Sequence, residues 1–156
     1  MRKWLPIVLL CAWPLVAQKY SGPRPAKPDI PYLMHADDLI ATESVEAEQQ
    51  DRKGEVTYVI PGANSTARTP LASPAFLFLS DQIQADRLQL FKLLSKGGRR
   101  EVLFTRRKKL IAHPIRLNVT KLAENLYKVE VDDILENGEY SLTPTESNQV
   151  FCFAIY

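Results

Sequence analysis

Residues 115–156 read IRLNVTKLAENLYKVEVDDILENGEYSLTPTESNQVFCFAIY, and this stretch decides the fold. Four strand-like runs, IRLNVTKL, LYKVEVDDIL, GEYSLTP and QVFCFAIY, are separated by the polar turns AEN, ENG and TESN. In the second run Tyr127, Val129 and Val131 alternate with Lys128, Glu130 and Asp132, the period of a strand with one buried face. Short strands at roughly ten-residue spacing with polar turns predict a sandwich or barrel. The βαβ alternation of a nucleotide-binding sheet is missing.

Upstream, AFLFLS (75–80) is a short apolar strand, and the long connection PGANSTARTPLASP (61–74) precedes it. DRLQLFKLLSKGGRREVLF (86–104) is ambiguous in its first half, where Ser80 could cap a helix that Gly97 ends; the preferred reading is a short helical turn just before it, near Asp81–Ala85, followed by a hairpin that turns at Lys96-Gly97-Gly98. VEAEQQ and EVTYVI flank Asp51–Gly54 as a second hairpin, and Val56, Tyr58 and Ile60 share one face of its second arm. Glu, Gln and Ala dominate Asp38–Lys53, so a helix competes with the hairpin there. The expected fold is all-β: a single β-sandwich, immunoglobulin-like or similar, of about seven to nine strands with one short helical turn.

The chain opens MRKWLPIVLLCAWPLVAQ. Arg2 and Lys3, the apolar run Trp4–Val16 and the small Ala17 follow the order of a secretory signal peptide. A transmembrane anchor would need ~20 apolar residues, and this run is shorter and interrupted by Pro6 and Pro14. The expected organisation is a signal peptide over 1–17, a proline-rich tether over 18–31 (QKYSGPRPAKPDIP) and the sandwich over 32–156. Lipid attachment at Cys11 fits poorly, because Leu9-Leu10 precede it and the apolar run continues past it.

Export changes the charge balance. The full chain has 20 Lys plus Arg and 18 Asp plus Glu; loss of Arg2 and Lys3 leaves the mature chain formally neutral, so pI gives no argument for a polyanion partner. Cleavage also removes Cys11 and leaves Cys152 alone, flanked by Phe151 and Phe153, as a small buried residue.

The closing LENGEYSLTP and NQVFCFAIY resemble the final hairpin of many small secreted bacterial β-sandwich proteins, most of them uncharacterised. In those a Gly-Glu-Tyr turn, here Gly138-Glu139-Tyr140, enters the penultimate strand and an aromatic-rich strand follows. The resemblance covers about the last twenty residues. It implies fold and compartment, and it assigns no catalytic residue.

Groups for chemistry are few. His35 sits in HADD beside Asp37 and Asp38, and a small hydrolase built on them is the alternative function. The spacing matches neither a zinc site nor a calcium loop, which favours a surface histidine among surface acids. His113, before Pro114, reads as a turn residue. Asp132, Asp133 and Glu136 read as solvated residues leading into a turn. Asn64-Ser65-Thr66 and Asn118-Val119-Thr120 match the glycosylation triplet, which carries meaning only in a eukaryotic secretory host. No phosphate-cradling glycine loop, nucleophile elbow or paired-cysteine site is present. The expectation is no cofactor and no metal.

The loudest stretch is RREVLFTRRKK (99–109). It names Arg99, Arg100, Arg106, Arg107, Lys108 and Lys109 as candidate binding residues, while alternation puts Val102 and Phe104 on one face of the same strand. Lys92–Arg116 holds nine cations against Glu101, whereas Asp29–Glu55 and Lys121–Glu146 are strongly acidic. Three readings compete for the basic block. It is a solvated rim neutralising acidic strands of the same fold, a dock for an acidic protein surface, or a site for an envelope polyanion such as lipid headgroups or acidic polysaccharide. Nucleic acid is disfavoured by export and by the lack of interleaved exposed aromatics. The expected function is an exported, non-enzymatic binding, accessory or structural module of the cell envelope, with no transmembrane anchor after cleavage.

Overall fold

The computed structural model describes residues 19–105 and 112–156; the expected signal peptide, Cys11 and the quartet Arg106–Lys109 lie outside the described residues. The chain is an all-β sandwich of two sheets. It is cut into thirteen strands among the described residues, more than the seven to nine expected, because several are pieces of two to four residues. They are β1 (Pro31–His35), β2 (Asp38–Ala41), β3 (Glu43–Glu46), β4 (Glu48–Arg52), β5 (Glu55–Pro61), β6 (Arg68–Thr69), β7 (Ala75–Leu79), β8 (Leu88–Lys96), β9 (Arg99–Thr105), β10 (Leu117–Ala123), β11 (Leu126–Val131), β12 (Gly138–Pro144) and β13 (Gln149–Ile155). The last four are the runs read from residues 115–156.

Both glycine-containing hairpins form. Lys53 (φ 49°) and Gly54 (φ 83°) link the facing pair Arg52 and Glu55, and Gly97 (φ 61°) and Gly98 (φ 76°) link Lys96 and Arg99. Two successive left-handed residues match the twist of the flanking strands, which is why such turns favour glycine. Asp38–Lys53 is therefore strand and turn, not helix. Among the described residues one helical turn forms, at Ala85–Arg87, at the far end of the expected Asp81–Ala85. The Asp29 carboxylate claims the intervening amides, accepting from the N–H groups of Asp81, Gln82 and Ile83 at 2.9–3.1 Å. Asp29 N–H also donates to Leu79 O at 2.8 Å, and Pro25 is buried. The proline-rich segment is thus docked at its C-terminal end, as a strap held by Asp29.

One sheet has the order β10–β11–β7–β1–β2, and the other β3–β13–β12–β8–β9–β5–β4, with β6 lying parallel beside the end of β13. The second sheet's edge strands, β3 and β4, are consecutive in the chain and separated only by Ala47. Ala47 N–H donates to Asn148 O at 2.7 Å, extending the β3–β13 ladder by one step before β4 takes up its pairing with β5. The sheet therefore curls until its two edges share one strand, which leaves it close to a ring without free edges. Strand β8 turns the corner: Leu88–Leu93 pair with β12, and Leu94–Lys96 pair with β9.

Strands β8, β12 and β13 are consequently covered on both faces. Leu88, Leu90, Tyr140, Leu142, Phe151 and Phe153 meet Leu33, Phe76, Phe78 and Val129 of the five-stranded sheet. Phe153 is central there, edge-on to Phe76 at 5.0 Å and stacked on Tyr140 at 5.6 Å. On the reverse face Phe91, Leu93, Val150 and Cys152 fill the ring with Ala47, Ile60 and Val102. Double coverage explains why VFCFAI shows no alternation and is buried from Val150 to Ile155.

Candidate functional site

Alternation along β9 decides the site. Arg100, Val102 and Phe104 share a parity, and the ring interior receives Val102 and Phe104. Arg100 therefore points inward too, and its side chain is 0% exposed. Its Nε donates to Gly62 O at 2.9 Å, and Nη2 donates to Pro61 O at 2.8 Å and Glu43 Oε1 at 3.0 Å. Nη1 donates to Glu43 Oε2 at 2.9 Å and Ser65 Oγ at 2.7 Å. All five guanidinium hydrogens are used, which is what a buried arginine requires.

A second carboxylate completes the cluster. Glu139 of β12 lies 3.8 Å from Arg100 Nη1 and accepts from Ser65 N–H at 3.1–3.2 Å and from the Ser65 hydroxyl. Burial works against the Arg100 charge, but the Glu43 hydrogen bonds and the two carboxylates hold its pKa above the ordinary value. The cluster thus ties β9, β3, β12 and the 61–66 connection together, and closes one end of the ring. Beside it, burial pushes the Cys152 thiol up to about 12, against the pull of the Arg100 charge. A thiol held neutral in this way is a poor nucleophile.

The basic stretch therefore divides. Arg100 is not a surface residue, because strand parity, the buried Glu139 and the part-buried Glu43 draw it inside. Arg99 is half exposed and pairs with Glu101 at 3.5 Å. Lys92 pairs with Glu136 at 2.8 Å, and Arg116 lies 3.7 Å from Asp132 and 4.0 Å from Asp133. For these residues the basic block meets acids of the same fold. The quartet Arg106–Lys109 lies outside the described residues. His35, Ala36, Asp37 and Asp38 are all exposed at the tip of the β1–β2 hairpin, and other residues line the cleft described next.

Among the described residues the opposite end of the ring is open. A cavity of about 130 Å³ is walled by Tyr58 of β5, Phe91 and Gln89 of β8, Val102 and Phe104 of β9 and Val150 of β13. The end of β12 and the β12–β13 connection supply its rim through Thr143, Thr145, Glu146 and Ser147. Phe104 is perpendicular to both neighbouring rings, at 5.6 Å from Tyr58 and 5.2 Å from Phe91. The Tyr58 hydroxyl donates to Gln49 Oε1 at 3.3 Å. The inward faces of β5 and β9 were legible as alternation in the sequence, but the cavity was not. Its walls come from four separated segments, and no local pattern records their convergence.

The chain matches no protein-family model, no curated protein and no solved structure. What the site can do follows from its geometry. The lining offers aromatic faces, hydroxyls, one amide and one carboxylate, the composition of a binding pocket with orienting polar groups at its edge.

Proposed function

We propose that this chain is an exported, non-enzymatic binding module of the cell envelope whose ligand enters the open end of the ring. The observation that carries the reading is the contrast between the two ends. One is closed by charges spent on each other, and the other presents aromatic walls beneath a polar rim. Mouths of small barrels are preferred ligand positions because the strands preform a concave surface without further ordering cost. The signal-like start supports the exported compartment, and the internal pairing of Arg100 weakens any reading in which the whole basic stretch is a docking face.

Two measurements test this. Mass spectrometry of the exported protein is expected to find an N-terminus within a few residues of Gln18, and recovery of intact Met1 would contradict export. Titration of isotopically labelled mature protein with a mixed fragment set is expected to move resonances of Tyr58, Phe91, Phe104 and Val150. Uniform silence at those residues across the set would remove the binding reading.

A further inference from the structure

We infer that the ring-mouth cavity takes a free small molecule with one neutral, benzene-sized ring and a hydroxyl or amide head group. This deepens the binding reading above and rests on it. The size comes from the volume. About 130 Å³ is close to the ~150 Å³ apolar cavity known to hold benzene. The space between the aromatic walls holds one ring, so the second ring of a two-ring system would lie out at the polar rim and lose the apolar contacts of the interior.

The ring chemistry comes from the walls. Tyr58, Phe91 and Phe104 present rings to the cavity, and an aromatic guest adds offset or edge contacts to the burial of its surface. The head group comes from the rim. The Thr145 hydroxyl donates to Arg87 O at 3.3 Å and keeps a lone pair to accept, Ser147 Oγ accepts from Gln149 N–H at 3.1 Å and keeps its proton to donate, and Thr143 Oγ1 lies 3.4 Å from Ser141 Oγ; Gln89 adds an amide, and Glu146 a carboxylate that only accepts. A neutral donor such as a phenol, benzyl alcohol or benzamide suits this set, whereas a carboxylate would meet Glu146 with like charge.

A free molecule fits better than a protein anchor. A protein anchor sits at the centre of an interface whose fully buried core is more apolar than the rest of the surface. The exposed large hydrophobics Leu71, Leu94, Ile134 and Tyr156 are not among the residues lining this cavity, whose rim is polar.

The test is a titration of labelled mature protein with phenol, benzyl alcohol, benzamide, benzoate, 2-naphthol and N-acetylphenylalanine amide, followed at the Val102 and Val150 methyls. The neutral single-ring compounds are expected to shift both methyls, with benzoate at least tenfold weaker and 2-naphthol weaker still. In Phe104→Ala, checked for retained folding, the size preference is expected to move towards 2-naphthol. If benzoate or 2-naphthol binds wild type as well as benzyl alcohol, the ligand class is overturned while the binding site stands. Peptide binding more than tenfold tighter than benzyl alcohol would point to a protein anchor and overturn the free-molecule assignment. If no probe moves these methyls, the inference and the binding reading fall together. Cross-relaxation from Leu110 or Ile111 methyls to the Phe104 ring in the free protein would mean that the chain fills its own cavity, and would overturn both.

Discussion

Arg100 and Glu43 meet as a two-pronged ion pair, Nη1 to Oε2 at 2.9 Å and Nη2 to Oε1 at 3.0 Å, with the guanidinium wholly removed from solvent. The paired geometry fixes the orientation of both side chains as well as their separation. Because Glu43 opens β3 and Arg100 lies on β9, the pair staples together strands that are far apart in the second sheet's order.

Replacing Arg100 by Met is expected to cost about 3–5 kcal/mol of folding stability, because it leaves two largely buried carboxylates without their cation. Denaturant unfolding measures it. Changing Arg100, Glu43 and Glu139 together to Met is expected to recover part of that loss, with Pro61 O and Gly62 O still lacking a donor. Arg99→Ser, on the solvent side of the same strand, is expected to change stability by less than ~1 kcal/mol. Equal costs for the two arginines would show that the interior assignment of Arg100 is wrong.

Cys152 gives an alkaline signature. Its folded pKa lies above its ordinary value of 9.0, at about 12. Between those values the folded chain holds a proton that the unfolded chain has released, so stability falls as pH rises through that window. The slope for one group is ~1.4 kcal/mol per pH unit. Unfolding curves at several pH values from 8 to 11 are expected to decline more steeply in wild type than in Cys152→Ala, the difference isolating this thiol. Parallel declines would place the thiol in water. The same burial predicts slow labelling by a thiol reagent under native conditions and fast labelling in denaturant.

Lys53 occupies the left-handed region at φ 49°, a conformation that costs an ordinary side chain roughly 1 kcal/mol and asparagine less. Lys53→Asn is expected to raise the melting temperature by a few degrees, corresponding to several tenths of a kcal/mol. Gly54→Ala, at φ 83°, is expected to lower stability by about 1 kcal/mol. A stabilising Gly54→Ala would mean that this turn does not adopt the described geometry.

Asp29 accepts from three consecutive amides of residues 81–83. Asp29→Ala is expected to speed hydrogen exchange at those amides at least tenfold, and to open the segment before Pro31 to proteolysis. The exchange of buried β13 amides is expected to stay within a few-fold of wild type, since the strap lies outside the ring. Unchanged protection at Gln82 would rule out the clasp.

How far the sequence carried this account follows from the kind of signal each feature leaves. The four closing strands and the two glycine turns are local, and alternation with turn chemistry was enough to place them. The double coverage of β13 also left a trace in the unbroken VFCFAI run. Arg100 was misplaced because a cation count treats every arginine as a surface group, although its parity with Val102 and Phe104 already pointed inward. Its partners Glu43, Ser65 and Glu139 lie far off in the chain, and no spacing rule links them. The strap was missed because proline content reports what a segment cannot form, not whether a distant loop will hold it. The ring-mouth cavity is wholly a product of closure.

The one-residue joint at Ala47 also sets the timetable of folding. Strand β3 finds its partner only when Ser44 comes to face Phe151, with most of the protein lying between them. Contacts so remote in sequence must be reached by diffusion after a large loss of chain entropy, and folds dominated by them assemble slowly. Because β13 stands between β3 and β12, and β6 lies along its end, an emerging chain cannot join β3 to β12 until β13 has been made. Assembly of the second sheet therefore waits for β13, and a chain lacking that strand is left with β12 uncovered and both cores open to aggregation.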